Sequence, residues 1–167
     1  MNTEKIKDAL IKTFSSMLRT TESLSIGAEI ENLIYDKDFN RIPANAGEGF
    51  SASDLKENIE TIHSCNDIKP SLSIEPGGQI EFASKPYIQL KKLDHELKKY
   101  IKSLLIIAEE KKLILSDLAI EPILHSNTIN IINQKKYKLM HKYFCDTGIF
   151  GHEMMLNSAS IQINLDY

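Results

Sequence analysis

Acidic and amide side chains recur in two segments of this sequence that otherwise have the alternating pattern of β-strands. Glu29 and Glu31 lie in LSIGAEIE, and Glu75, Gln79 and Glu81 lie in SIEPGGQIEF. Successive side chains of a strand point to opposite faces, so the carboxylates of each segment share the face opposite the apolar residues. Two interpretations stay open: the acids face water, or they converge on a positively charged group such as a metal ion that holds phosphates.

The end of the chain has the most regular strand pattern. In SASIQINLDY, small, apolar and aromatic residues alternate strictly with residues that carry hydrogen-bonding side chains. The polar set consists of Ser158, Ser160, Gln162, Asn164 and Asp166. This alternation predicts a strand with one face for a core and one face for solvent or a ligand.

A bound cation would account for several carboxylates on one sheet face. Like charges brought close together are unfavourable unless a cation neutralises them or some of them are protonated. Carboxylate oxygens suit Mg²⁺ or Mn²⁺, and these ions in turn bind the phosphates of ATP. The adjacent residues Gly77 and Gly78 fit this hypothesis, because a glycine turn permits the close backbone approach that a triphosphate needs.

Helical periodicity predicts the elements that position these strands. Apolar residues from Ile6 to Leu18 recur at helical spacing and predict an amphipathic helix that ends near Arg19. The segment SASDLKENIETIH predicts a second helix, capped by Ser51 or Ser53.

A long helix is predicted from Tyr87 to Leu113, with lysines opposite its buried stripe. The stripe is expected to contain Leu90, Leu93, Leu97, Ile101, Leu104, Leu105 and Ala108. LILSDLAIEP then predicts a strand that stops at Pro122, and YKLMHKYFCDTG predicts a short helix that Gly148 terminates.

Together these elements predict an α+β fold, an antiparallel sheet with helices on its apolar face and an acidic polar face free to form a site. With 167 residues, 42% hydrophobic and 26% charged, one domain over residues 1–167 is expected. A net charge of −3 argues against nucleic acid as the main partner. The N-terminal segment lacks the apolar run of a signal peptide and no stretch is long enough to span a membrane, which predicts a cytoplasmic protein.

The cysteines and histidines show no spacing typical of a metal site. Cys65 and Cys145 lie far apart without a partner motif, so both are expected to be buried free thiols. The histidines have neither HxxxH nor HxH spacing, so no zinc site is predicted among His63, His95, His125, His141 and His152.

Three ordered strings carry a resemblance to a known family. GAEIE, then EPGGQIEFASKP, then KKYKLMHKYFCDTGIFGHEMMLNSASIQINLDY resemble the motifs of glutamate–cysteine ligases of the plant and proteobacterial type, in the same order. The resemblance covers residues 24–167. It implies the glutamine synthetase-like fold of carboxylate–amine ligases, an antiparallel sheet whose acidic concave face binds metal ions between ATP and an amino-acid substrate.

The resemblance also implies a reaction and roles for residues. The expected activity joins the γ-carboxylate of L-glutamate to the amino group of L-cysteine through an acyl phosphate, with ATP as substrate and Mg²⁺ or Mn²⁺ as cofactor, as in glutathione biosynthesis. Four carboxylates would be metal ligands, and a turn and a strand would contact the nucleotide and the substrate. The implied metal ligands are Glu29, Glu31, Glu75 and Glu81, the nucleotide turn is Gly77 and Gly78, and the substrate contacts are Gln79, Ser158, Ser160, Gln162 and Asn164.

Length is the main departure from the family pattern. Members of the family run to roughly twice this length or more, beyond the usual size of one domain, so the resemblance is to an N-terminal portion. A homo-oligomer or a complementing C-terminal subunit would then be expected to complete the site. The alternatives are half of a split ligase and a non-catalytic remnant or interaction module, and Lys136 is either an anion-binding residue or part of a solvated helix start.

Overall fold

The computed structural model of the protein describes residues 3–18, 23–47, 49–64 and 71–166. Within these ranges the helices are α1 (Thr3–Met17), α2 (Ala52–Ser64), α3 (Leu90–Lys111), α4 (Lys135–Asp146) and α5 (Gly151–Asn157). The strands are β1 (Ile26–Asn32), β2 (Ile34–Tyr35), β3 (Ser71–Ile74), β4 (Ile80–Ala83), β5 (Ile114–Leu115) and β6 (Ile161–Leu165). A short 3₁₀ turn covers Ser126–Thr128.

The main sheet has four antiparallel strands in the order β3-β4-β1-β6, and β2 pairs with β5 in a separate two-stranded sheet. β1 therefore lies between β4 and the distant C-terminal strand β6. The predicted α+β class and the antiparallel sheet are confirmed. The glutamine synthetase-like arrangement itself stays an expectation from the resemblance.

The core lies between the apolar face of the sheet and the helices α2 and α3. Ile30, Leu72, Ile80 and Phe82 supply the sheet side of this core. The ring of Phe82 stacks on that of Tyr100 with centroids 4.4 Å apart, and the Tyr100 hydroxyl donates to Asn32 Oδ1 at 2.8 Å. A full burial of one such aromatic contributes about 1.5–3 kcal/mol, so this stack anchors α3 on the sheet.

Two local predictions are confirmed in detail. Along β1, Ala28 is buried in line with its predicted apolar face, and Glu29 and Glu31 lie on the other side. At the start of α2, Ser51 is the cap: its hydroxyl accepts from the Asp54 backbone N–H at 3.2 Å, and its own N–H donates to Asp54 Oδ2 at 2.8 Å. This reciprocal pair satisfies two backbone donors at the N-terminus of the helix.

The long helix α3 forms as predicted, but its buried stripe was partly wrong. Leu90, Ile101 and Leu105 are exposed, whereas Tyr100 and Ile107 are buried. The stack of Tyr100 on Phe82 rotates the helix, and residues seven apart then share its inner face. The complete buried set is Leu93, Glu96, Tyr100, Ser103, Leu104, Ile107 and Ala108.

The predicted strand LILSDLAIEP is also wrong for most of its length. Only Ile114 and Leu115 form a strand, and Ile120 makes an isolated bridge to Ser158. Directly after this segment the chain turns, and the buried Glu121 accepts there from the backbone N–H groups of Ile123 and Leu124. The following helix α4 ends at Asp146, two residues before Gly148, whose positive φ of 74° matches its predicted role as terminator.

Apolar side chains on α1 and β6 are exposed in the part of the chain that the structure describes. The α1 helix is present, with its predicted end at Arg19 outside the described residues, and its Leu10 and Phe14 are exposed. On β6 the apolar residues Ile161, Ile163 and Leu165 are 73%, 57% and 67% exposed, so the prediction that helices cover the apolar face fails at this edge strand. Among the described helices, none is both long and apolar enough to cross a membrane.

A carboxylate-lined sheet face as the candidate active site

The pairing of β1 with β4 places two of the predicted metal ligands side by side. Glu31 and Glu81 occupy directly opposed positions of the antiparallel ladder, so their side chains leave the sheet on the same face. Glu29 lies two residues before Glu31 and shares that face, opposite Gln162 of β6.

Glu75 and Gln79 extend this face at the turn between β3 and β4. The Glu75 N–H donates to Gln79 O at 2.9 Å, which continues the ladder by one more pair. Gln79 lies two residues before Glu81 and therefore points to the same side. The four acidic residues are thus brought to one face of one sheet, while their role as metal ligands stays a prediction.

A cavity of about 230 Å³ opens on this polar face. Its walls combine the sheet with α4 and α5, so helices lie on both faces of the sheet and not on the apolar face alone. Met140 comes from α4, and Met154 and Met155 come from α5. The sheet side and its C-terminal approach supply Glu31, Glu75, Pro76, Gln79, Ser158, Ser160 and Gln162.

Hydrogen bonds orient three of the carboxylates. Asn164 Nδ2 donates to Glu29 Oε1 at 2.9 Å, and the Ser160 backbone N–H donates to Glu31 Oε2 at 2.8 Å. Ser73 Oγ donates to Glu81 Oε1 at 2.7 Å. Each bond engages one oxygen of a group that can accept at both. Of the predicted substrate contacts, Asn164 and Ser160 therefore support the acids directly, and Ser158 and Gln162 line the same face.

The charges on this face oppose one another. Burial raises the pKa of the Glu75 carboxyl, the negative charges of Glu81 and Glu31 raise it further, and Lys136 acts in the opposite direction. A divalent cation bound among these carboxylates would instead favour their ionised form, because an opposite charge within a few ångströms stabilises a carboxylate. The donor set is oxygen only, which fits a hard cation such as Mg²⁺ or Mn²⁺.

The glycine turn is closed by contacts within the protein. A Cβ on Gly77 would lie 2.6 Å from Leu156 O, and one on Gly78, whose φ is +85°, would lie 3.3 Å from Ala44. The Gln79 amide joins this turn to the C-terminal part: its Oε1 accepts from the Gly77 N–H at 2.9 Å and its Nε2 donates to Ser158 O at 2.9 Å. The close approach that these glycines permit is to the chain itself, so their contact with a nucleotide stays a prediction.

An ion pair that the sequence pattern did not indicate supports the same turn. Arg41 Nη1 lies 3.2 Å from Glu121 Oε2, and the two side chains are 5% and 0% exposed. Arg41 Nη2 also donates to Gly77 O at 2.8 Å, and the Tyr35 hydroxyl donates to Glu121 Oε2 at 2.7 Å. Arg41 and Glu121 are 80 residues apart, and neither lies in a recognisable motif, so no local signal identifies the pair.

The prediction of a buried thiol was wrong for Cys145. Cys145 is exposed and not buried, and Cys65 lies outside the described residues. His141, Cys145 and His152 lie close enough together to hold a metal ion. HxxxH and HxH spacing does not indicate this cluster, because His141 and Cys145 are four residues apart on α4 and the third side chain comes from α5.

The fold and the acidic cavity define the class of protein: an α+β domain with a carboxylate-bearing antiparallel sheet whose polar face is open to a ligand. A family model described as glutamate–cysteine ligase family 2 matches residues 25–167. The chain belongs to this glutamate–cysteine ligase family.

Plant enzymes are among the relatives. The chain is 26% identical over 170 aligned positions to the chloroplastic glutamate–cysteine ligase of Arabidopsis thaliana and 25% identical to that of Medicago truncatula. Each alignment covers 96% of this chain but only 32% and 33% of those relatives. The chain therefore spans about a third of the length of these ligases. Their names place them in the chloroplast, and the cytoplasmic location of this chain stays a prediction.

Proposed function

We propose that this chain forms the metal-binding and glutamate-binding part of a ligase that joins the γ-carboxylate of glutamate to the amino group of cysteine at the expense of ATP. The observation that carries the proposal is the placement of Glu31 opposite Glu81, with Glu75 beside them, on a face that lines a cavity. Membership of the glutamate–cysteine ligase family supports this choice of reaction.

Glu31, Glu75 and Glu81 would hold Mg²⁺ or Mn²⁺, with Glu29 at the β6 side of the same face. When bound, the ion would neutralise charge on the phosphates of ATP and draw electron density from the phosphorus that is transferred. The hydrogen bonds from Ser73 and from the Ser160 backbone would hold two of these carboxylates in place before the ion arrives.

The chemistry has two steps. A carboxylate is a poor electrophile, so an oxygen of the glutamate γ-carboxylate first attacks the terminal phosphorus of ATP and ADP leaves. The cysteine amine then attacks the acyl carbon, phosphate leaves, and the amine loses a proton. Ser158 and Gln162 line the cavity and are the side chains proposed to orient glutamate, while Met154 and Met155 supply an apolar wall that limits access of water.

The proposal is tested by calorimetric titration of the chain with ATP in the presence and absence of Mg²⁺. Mass detection of γ-glutamylcysteine then tests the reaction. Glu81→Gln should abolish Mg²⁺-dependent binding of ATP. Glu109→Gln is the matched control, because it is the same substitution at an exposed position of α3. That helix packs on the opposite face of the sheet. Equal binding of ATP by the parent chain and by Glu81→Gln would refute the metal site.

The apolar edge favours a second candidate, in which the chain acts as an interaction module or as half of a split ligase. Ile161 and Leu165 on β6 are 73% and 67% exposed, and an exposed apolar edge strand is a typical surface for a partner chain. A second copy or a complementing subunit of the same family would bury it. Light scattering would show an oligomer that Ile163→Lys dissociates, and a monomer at all concentrations would argue against the homo-oligomer.

A further inference from the structure

A cluster of three side chains with metal-ligating atoms lies where α4 meets α5. His141 and Cys145 are one helical turn apart on α4, and His152 is the second residue of α5. One ligand atom from each residue lies within 4.8 Å of the other two. None of the three residues lines the acidic cavity described above.

One distance within the cluster is close to that between two ligands of a tetrahedral zinc site. Cys145 Sγ lies 3.8 Å from His152 Nε2. Zinc bonds of about 2.3 Å to sulfur and about 2.0–2.1 Å to nitrogen place tetrahedral ligand atoms roughly 3.3–3.6 Å apart. Small side-chain rotations would close the remaining gap, and the exposure of Cys145 leaves room for them.

The backbone holds the two helices close together at this point. A Cβ on Gly151 would lie only 2.6 Å from Cγ of Phe144, so glycine allows the start of α5 to approach α4 next to Cys145. The imidazole rings of His141 and His152 stack with centroids 4.2 Å apart and planes 17° from parallel. The three ligand groups are therefore brought together by packing and not by chance exposure at a loop.

An imidazole binds a metal ion through a ring nitrogen that carries no proton. His152 Nε2 lies 3.0 Å from His141 O and donates a hydrogen bond to it. Coordination through Nε2 would exchange this hydrogen bond for a bond to the metal.

We propose that His141, Cys145 and His152 form a binding site for one Zn²⁺ ion, with the fourth position taken by water. Two nitrogens and one thiolate sulfur match the ligand preference of zinc, whereas Mg²⁺ prefers oxygen, so this site and the acidic face select different metals. Binding releases the thiol proton of Cys145. Met140, directly before His141, and Met154, two residues after His152, both line the acidic cavity. The ion would therefore also fix α4 against α5 beside that cavity.

Titration with Co²⁺ as a spectroscopic substitute for Zn²⁺ tests the ligands directly. The full chain is used in buffer with excess Mg²⁺, which occupies oxygen sites. We expect one equivalent of Co²⁺ to give a thiolate-to-cobalt charge-transfer band that added Zn²⁺ displaces. The band should persist in Cys65→Ser, which removes the other cysteine, and disappear in Cys145→Ser.

Zinc affinity provides a second readout. His152→Gln should weaken Zn²⁺ binding by at least about 100-fold, beyond the range for loss of an outer-shell partner. His125→Gln, a change at an exposed histidine outside the cluster, should leave the affinity unchanged. Zn²⁺ binding of equal strength in the parent, Cys145→Ser and His152→Gln would overturn the proposal, as would a cobalt spectrum without a thiolate band. Circular dichroism of each variant confirms folding.

Discussion

Glu31 of β1 lies directly opposite Glu81 of β4 in an antiparallel ladder, so two carboxylates share one position on the polar face of the sheet. Like charges placed directly across a ladder are destabilising by roughly 0.2–1 kcal/mol. The folded chain therefore carries a local electrostatic cost at the place where a cation would remove it.

The first prediction concerns this pair and the response to Mg²⁺. Without metal, Glu81→Gln should be as stable as the parent or more stable by up to about 1 kcal/mol, because the repulsion is lost. At Mg²⁺ a hundredfold above its Kd, the parent should gain about 2.7 kcal/mol, and Glu81→Gln should gain much less. Urea unfolding with and without Mg²⁺ measures both. An equal gain in the two proteins would remove Glu81 from the site.

The second prediction is a pH dependence that arises from Glu75. Burial and the charges of Glu81 and Glu31 raise the pKa of Glu75 in the folded chain above its ordinary value of 4.5. Between pH 4.5 and the higher pKa of the folded state, Glu75 binds more protons in the folded chain than in the unfolded chain. The contribution of this group to the free energy of unfolding therefore falls as pH rises through that interval. Glu75→Gln removes the loss.

The corresponding measurement is urea unfolding at a series of pH values in metal-free buffer. Glu75→Gln should be more stable than the parent at neutral pH, and the two curves should converge below pH 4.5. Glu109→Gln, at an exposed position of α3, should follow the parent. A difference between Glu75→Gln and the parent that does not change with pH would contradict the assignment.

The third prediction tests the packing of the glycine turn. Gly77→Ala should destabilise the fold by about 1–3 kcal/mol, because its Cβ would lie 2.6 Å from Leu156 O. Gly27→Ala is the matched control on the same sheet, since its nearest contact of 3.5 Å is ordinary packing. Thermal melts of the two variants should differ clearly, and similar melting temperatures would show that the turn can move away from α5.

The fourth prediction concerns the buried ion pair below that turn. Arg41→Leu leaves the Glu121 carboxylate buried without its cation and should cost about 3–5 kcal/mol. Lys98→Met, which breaks the exposed pair with Asp94, should cost less than about 1 kcal/mol. Chemical denaturation measures both. A small loss in Arg41→Leu would mean that the hydrogen bonds from Tyr35 and the Ile123 and Leu124 N–H groups satisfy Glu121 alone.

The fifth prediction is that the chain alone turns over more slowly than the longer ligases. The loss of one cationic side chain from phosphoryl transfer can cost on the order of 10³–10⁵ in rate. Because the Arg41 guanidinium contacts Glu121 and Gly77 O, it does not supply that positive charge to a phosphate. Phosphate release is measured with ATP, Mg²⁺ and glutamate, with and without cysteine. Rapid dipeptide formation that depends on cysteine and is abolished by Glu29→Gln would show that the chain completes the site by itself.

Predictions that depend on neighbours along the chain were accurate for β1 and for the start of α2. The alternation of Ala28 and Ile30 with Glu29 and Glu31 gives the two faces of β1, because successive side chains of a strand always alternate. The Ser51 cap of α2 was predictable for the same reason, since its partner Asp54 is three residues away. The predicted buried stripe of α3 was partly wrong, because helical spacing does not define which side of the helix faces the core. That side is set by packing, here by the stack of Tyr100 on Phe82.

The amino-acid sequence by itself determined the two faces of β1, the Ser51 cap of α2 and the set of acidic residues available for a site, because these follow from backbone geometry over a few residues. Only the tertiary structure decided that Glu31 meets Glu81, that Arg41 meets Glu121, and that His152 reaches Cys145. Such contacts depend on strand register and on the packing of helices from distant parts of the chain. Their free energies are set by the whole fold, so no short pattern encodes them.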